Sequence, residues 1–430
     1  MKAALLDPRT FRVVESRRIP FPPFEPGLPP LHREVNVALI VDRVRELLDA
    51  LWPDSGECRA LMVSGQMHGF VSTDSNGVAT SNYVSWLDQR SAADFEVTRG
   101  RIGDAAYQAL GNELRPGIAL ATLASMRRAG TFSGVSVCSL ASYVVSQLCQ
   151  TPAVEEPTYA ASLGALDLLG MRWHRDALAV LDLDAIVWPE LRSIAEPAGK
   201  WRGVPVYPAV GDQQCSLAGA LLAEGELSIN VSTGSQIASI ARELQAGRSQ
   251  NRPYFDGLFL RTVTHLPAGR ALDSLMRLLT EMGCDRDPWQ YVLEAAAAVP
   301  STDVQANLCF FPGPLGSSGG FQGLTEQNLT AGHLFRAAFE AMASNYHQAA
   351  AWLGQKHFAG IVFSGGLVQK SAVLRDCIVR KFAIPWRSSP TEEDCMLGLL
   401  LLGTVATGEY RTLYDATASA RATICRTMYE

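Results

Sequence analysis

Four times along this chain an apolar run of strand length breaks at a glycine-bearing turn. Residues 60–64 run into Gly65-Gln66-Met67-His68-Gly69, and 204–210 into Gly211-Asp212-Gln213-Gln214. Residues 227–231 run into Ser232-Thr233-Gly234-Ser235, and 360–363 into Ser364-Gly365-Gly366. A strand that ends in such a turn and re-enters a helix brings backbone N–H groups to one edge of a sheet, so the pattern predicts an α/β protein. Helical spacing over 35–51, with Val37, Ile40, Val41, Val44, Leu47, Leu48 and Leu51 against Arg43, Arg45, Glu46 and Asp49, predicts an amphipathic helix. Further helices are expected over 214–223, 270–282 and 333–353 and from about 371, and 121–180 reads as mostly helical. The chain opens as a hairpin, with strands over 3–6 and 11–15, and six prolines between Pro20 and Pro30 then make a connector that cannot be helix interior. Two halves of similar grammar predict a duplicated α/β core facing a cleft, with the boundary near residue 207.

With 430 residues, two or three domains are expected, and 47% hydrophobic against 19% charged residues supply a large core rather than a disordered or coiled-coil chain. A formal charge of −6 removes the usual electrostatic basis for nucleic-acid binding. Only five of the basic residues are Lys, so anionic ligands must be met by local dipoles or an ion. The nine scattered cysteines form no CxxC pair, which points to free thiols in a reducing cytosol. No secretory leader is visible, and the apolar stretch 396–405 is too short to span a bilayer, so the protein is expected to be cytoplasmic without a membrane partner. The oligomeric state is not readable from the chain.

Several segments carry candidate chemistry. Asp212, between a glycine and a helix start, is either an N-cap or a general base, and the two roles are compatible. The turn Ser232-Thr233-Gly234-Ser235 and the pair Gly365-Gly366 are plain turns or phosphate cradles. With no Walker GxxxxGK sequence, together they suggest a nucleotide site of another type. His68, among small residues at a strand break, is a structural histidine or a ligand to a polar substrate. Trp86-Leu87-Asp88-Gln89-Arg90 suits a polyol or a helix start. Gly316-Ser317-Ser318-Gly319-Gly320 matches the hydrolase pattern GxSxG, but it lies in a Gly-rich loop without the strand and helix that pattern needs.

Six segments in order along the chain resemble the FGGY family of carbohydrate kinases: 63–69, 84–90, Ile194-Ala195-Glu196-Pro197, 211–214, 229–233 and 364–366. The resemblance implies two actin-like (ribonuclease-H-like) domains around a central cleft, residues 1–207 binding sugar and 208–430 binding ATP. It implies ATP- and Mg²⁺-dependent phosphorylation of a ketose, a seven-carbon ketose first and a pentulose second, with Asp212 as catalytic base. Met67, His68 and Gln213 would contact the sugar, joined by Trp86 and Asp88. Thr233, Gly234, Gly269, Gly365, Gly366 and Lys370 would hold the nucleotide, while the metal ligands stay unassigned. Two departures stand out. The family's opening strand and Asp-x-Gly-Thr-Thr loop would fall before Met1, so domain one is expected to lack its first strand, leaving a non-catalytic binding remnant as an alternative. Leu315-Gly316-Ser317-Ser318 also stands where relatives often have Gly-Glu-Arg.

Overall fold

The computed structural model describes residues 1–52, 58–281, 283 and 285–427. The expected helix end at Met282 and the thiols of Cys284 and Cys425 lie outside what is described. The opening hairpin forms as expected, β1 (Lys2–Asp7) antiparallel to β2 (Arg12–Arg18). The Pro-rich connector carries neither helix nor strand up to Glu34. Helix α1 (Val37–Leu51) starts where the Asn36 side chain accepts the Leu39 N–H at 3.2 Å, and it buries Val37, Ile40, Val41, Leu47 and Leu51. The strand expected over 60–64 contracts to β3 (Ser64–Gly65), preceded by a single bridge from Leu61 to Val206. After β4 (Val71–Thr73) come α2 (Ala119–Arg128), β5 (Ser136–Cys138) and α3 (Leu140–Cys149).

The strands of this first half pair two by two rather than in one broad sheet. β4 lies antiparallel to β5, and β3 lies parallel to β6 (Val210–Gly211) with Gly65 opposite Gly211. Among the described residues β1 pairs only with β2 and β3 only with β6. An apolar groove of about 720 Å³ lies between them, lined by Leu5, Ile40, Val44, Val63 and Leu400 among others.

The second half begins with α4 (Asp212–Gly219), shorter than expected because Leu221 takes a left-handed φ of 55° that ends the helical path. A six-stranded sheet follows. Its strands are β7 (Glu226–Val231), β8 (Ser235–Ala241), β9 (Gln250–Pro253) and β10 (Phe259–Leu266), then, beyond α5 (Gly269–Thr280) and α6 (Ala331–Trp352), β11 (Gly360–Ser364). After α7 (Ala372–Phe382), β12 (Trp386–Ser388) completes it in the order β9-β10-β8-β7-β11-β12. The β7–β11–β12 side is parallel and the remaining pairs are antiparallel. One face buries Leu227, Ile229, Val231 and Phe363 against Phe335, Phe339 and Met342 of α6.

The apolar stretch 396–405 lies within α8 (Asp394–Ala406), a buried helix preceding α9 (Leu413–Thr427). No helix among the described residues is long and apolar enough to cross a membrane. α8 packs closely on α4 through two glycines. A Cβ on Gly219 would lie 1.7 Å from the Asp394 carbonyl oxygen, and one on Gly398 would lie 1.9 Å from that of Cys215. Both obstacles are backbone, so the helices must separate to admit a methyl group, and overpacking of this kind costs about 1–3 kcal/mol or more. Gly398→Ala is therefore expected to lower the thermal midpoint by several degrees, and a midpoint unchanged within a degree would contradict this packing.

Candidate active site

The Gly65–Gly69 break buries two side chains where the two halves of the chain meet. Met67 and His68 are both buried, and His68 holds a φ of 78°, a strained conformation for a non-glycine residue. His68 Nδ1 lies 3.1 Å from the Ser162 carbonyl oxygen, which can only accept, so Nδ1 carries the proton. Burial pushes the ring's pKa down to about 3, outweighing the Glu113 carboxylate that pulls it up, and Arg115 and Arg252 oppose its protonation further. The imidazole is therefore neutral, and Nε2, 3.5 Å from the Glu113 carboxylate, presents a lone pair.

Glu113 links this half to the other. Arg252 of β9 grips it with two hydrogen bonds, Nε to Oε2 at 2.7 Å and Nη2 to Oε1 at 2.5 Å. Burial alone would raise the Glu113 pKa, but the Arg252 guanidinium outweighs it and holds the carboxyl below its usual range. Arg252 Nη1 also donates to the Gln213 side-chain oxygen and approaches Met67 Sδ at 3.6 Å. Gln213 in turn donates to Thr262 Oγ1 on β10 at 3.1 Å. Met67, His68, Glu113, Gln213, Arg252 and Thr262 thus form one bonded floor, although they come from both halves of the chain.

Asp212 stands beside this floor. Gly211 occupies the N-cap position of α4, so Asp212 is the first helical residue and not the cap. Its carboxylate lies by the backbone N–H groups of Asp212 and Gln213, and the residue is only partly covered. Burial raises its pKa to about 6, with the Arg252 charge pulling the other way. A carboxylate whose pKa is raised toward neutrality suits proton abstraction from a hydroxyl.

β10 leads from this floor to the glycine turns. It runs from Thr262, against Gln213, to Leu266, which pairs with Ser235 at the end of the turn after β7, and four strand residues span about 13 Å. In that turn Thr233 and Gly234 are exposed. The turn is held from behind by the Gly269 N–H to Ser232 O at 3.1 Å and the Arg270 N–H to Thr233 O at 2.7 Å. A Cβ on Gly269 would lie 2.6 Å from Ser232 O, so the start of α5 can approach the turn only as glycine. On its other flank, Gly365, at φ 89°, leaves no room for a side chain between it and Val231 O and Ser232 Oγ. Gly366 opens a short helix directly, Gly366–Lys370, one turn earlier than the expected helix from 371, and Lys370 is exposed at its end. Asn230 Nδ2 donates to Ser364 Oγ at 2.8 Å and ties the two strands that carry these turns.

One sequence expectation changes and another is met. Asp88, expected to contact substrate, is fully buried and has both oxygens engaged: Oδ2 accepts from Arg33 N–H and Arg90 Nη2, and Oδ1 from Arg90 N–H and Nε. Its charge holds the loop and is not offered to a ligand, and Trp86 stays half-buried nearby. Gly316–Gly320 is no nucleophile elbow, because it leads into a strand, Gly320–Gln322, instead of a helix. The residues that sequence reasoning missed are Glu113, Arg252 and Thr262, along with Arg115 and His265. Arg115 and Arg252 help desolvation hold His265 near a pKa of about 4.

Two lobes meeting at a polar floor, with glycine turns on one side and a poised carboxylate between, define a two-domain actin-like α/β architecture. A gluconate kinase from Lactobacillus acidophilus matches it with a TM-score of 0.88 at 19% identity, covering 98% of this chain and 93% of that one. A xylulose kinase from the same organism matches with a TM-score of 0.86 at 18% identity, over 98% and 94% of the two chains. Residues 1–219 match the N-terminal domain of the FGGY family of carbohydrate kinases, and the chain belongs to that family. Two sedoheptulokinases are relatives in sequence. That of Mus musculus is 24% identical over 409 residues, 83% of each chain, and that of Homo sapiens 24% over 426 residues, 87% of this chain and 86% of the relative. The protein is a carbohydrate kinase.

Proposed function

We propose that this kinase transfers the γ-phosphoryl group of ATP to a primary hydroxyl of a ketose in the cytoplasm, with sedoheptulose the first candidate and a pentulose such as xylulose the second. The observation that carries this reading is the position of Asp212, a half-buried residue at the start of α4 beside the Arg252–Gln213 floor, where burial raises its carboxyl pKa to about 6. The choice of sedoheptulose rests on the two sedoheptulokinase relatives.

On this reading residues 1–207 bind sugar mainly and 208–430 bind nucleotide. Met67, His68 and Gln213 meet the sugar. His68 accepts a hydrogen bond from a sugar hydroxyl at Nε2, its other nitrogen being committed to Ser162. Thr233, Gly234, Gly269, Gly365, Gly366 and Lys370 surround the nucleotide, exposed backbone of the turn meeting phosphate oxygens. Asp212 takes the proton from the attacking hydroxyl while the floor holds it in line, and positioning supplies most of the acceleration in such transfers. No group of three or more His, Cys, Asp or Glu side chains able to hold a metal occurs among the described residues. A magnesium ion here would rest on the nucleotide's phosphate oxygens with Asp212 as the nearby carboxylate, and would supply charge neutralisation.

The test is ADP release from the purified chain with sedoheptulose, xylulose and ribulose. Turnover with sedoheptulose exceeding that with either pentulose at least tenfold is expected. Preference for a pentulose would move the assignment to the second reading. Ligand-induced thermal stabilisation without any ADP release would make the chain a binding protein only.

A further inference from the structure

Resting on the reading of Asp212 as the base, we propose that Glu156, acting through Thr158, is a positioning residue that fixes the backbone on which Asp212 is mounted. Glu156 is buried, 5% exposed, and its Oε2 accepts the Thr158 backbone N–H at 2.8 Å and the Thr158 hydroxyl. A hydroxyl has one proton to give. With that proton committed to Glu156, the Thr158 oxygen is left as an acceptor, and it takes the Gly211 N–H at 3.2 Å. Gly211 is the residue immediately before Asp212.

Thr158 grips the same helix start a second time. Its carbonyl oxygen accepts from Gln214 Nε2 at 3.5 Å, and the same amide nitrogen reaches Pro253 O at 3.2 Å, beside Arg252. Asp212 is therefore bracketed: the residue before it and the residue two beyond it both bond to Thr158, which Glu156 orients. There is little slack in this mounting. A Cβ on Gly211 would lie 2.7 Å from the Gln214 side-chain oxygen and 3.2 Å from Thr158 O.

A carboxylate placed here only to cap the short helix Pro157–Ala160 would need the Thr158 N–H and nothing more. The relay through the hydroxyl to Gly211 goes beyond capping. Burial raises the Glu156 pKa to about 7, and the hydrogen bonds that Thr158 donates to its carboxylate form pull the other way. Because a general base must sit within about 3 Å of the hydroxyl it deprotonates, a small drift of the Gly211–Asp212 backbone acts directly on the chemical step.

Thr158→Val keeps the shape and removes the hydroxyl. It is expected to lower kcat about tenfold or more while leaving the KM for ATP within about twofold, and to speed amide hydrogen exchange across residues 209–214 about tenfold. Thr158→Ser restores the hydroxyl and is expected to recover kcat to within about threefold. Glu156→Gln keeps an acceptor without the charge and is expected to fall between wild type and Thr158→Val. A folded Thr158→Val protein with wild-type kcat, or with unchanged exchange across 209–214, would overturn the proposal. If the wild-type chain releases no ADP with any ketose, the kinase reading fails. The exchange comparison still decides the positioning role: faster exchange in Thr158→Val supports it and unchanged exchange overturns it.

Discussion

Asp212→Asn should leave the protein folded and cut turnover by a factor on the order of 10² or more, the usual contribution of a positioned general base. The fold is expected to survive for a reason visible in the site. Burial raises the Asp212 pKa from 3.8 to about 6, so above pH 6 the folded state carries a charge that its surroundings disfavour. A folded-state carboxyl pKa above the unfolded value means stability is greater when the group is protonated and is lost as pH rises through about 6. Asparagine removes that charge, so at pH 8 the variant should melt no lower than the parent, and loss of turnover cannot be assigned to unfolding. The same pKa sets the acid limb of the parent enzyme: kcat/KM should fall about tenfold per pH unit below about 6, where Asp212 is protonated and cannot accept a proton. Coupled ADP release and thermal melts on the same samples check both statements. Turnover of the asparagine variant within tenfold of the parent would show that another group is the base.

What could be read from the sequence follows the range of the interactions involved. Strand-turn-helix breaks are local, so the turns at Gly65–Gly69, 211–214, 232–235 and 364–366 were readable as places where chemistry could be presented, and the structure pairs them, Gly65 opposite Gly211 and Gly365 against Ser232. Glu113 and Arg252 gave no such signal. They are 139 residues apart in sequence, and each alone is an ordinary charge in a polar stretch, its meaning supplied only by the partner that folding brings to it. Asp88 errs in the other direction, since its residue type suits a polyol, but Arg33 and Arg90 use every contact it offers. Glu156 and Thr158 lie within the stretch 121–180 that reads only as mostly helical, and their reach to Gly211 is a tertiary fact. The boundary expected near residue 207 falls before α4, whose packing on α8 from the far end of the chain is again a tertiary fact.

The Glu113–Arg252 pair should be the largest single contributor to holding the lobes in register. Both side chains are buried, and each satisfies the other's charge in a bidentate arrangement across the cleft. Removing one partner strands a buried charge, which typically costs about 3–5 kcal/mol, so Glu113→Leu is expected to lower the thermal midpoint by about 3–6 °C. Arg252→Met should do likewise, and it also deprives the Gln213 side-chain oxygen of its donor. Replacing both together separates stability from function. A well-packed apolar pair avoids the desolvation of two charges, so Glu113→Leu/Arg252→Met should recover most of the lost stability. Activity should not return with it: Gln213 loses the bond that orients it, the cation beside Asp212 is gone, and kcat/KM for the ketose is expected to stay at least tenfold below the parent. A double variant that melts as low as the singles would mean that the cost lies in packing rather than in the stranded charge. One that recovers both stability and turnover would show that the pair only fastens the lobes and takes no part in shaping the sugar site.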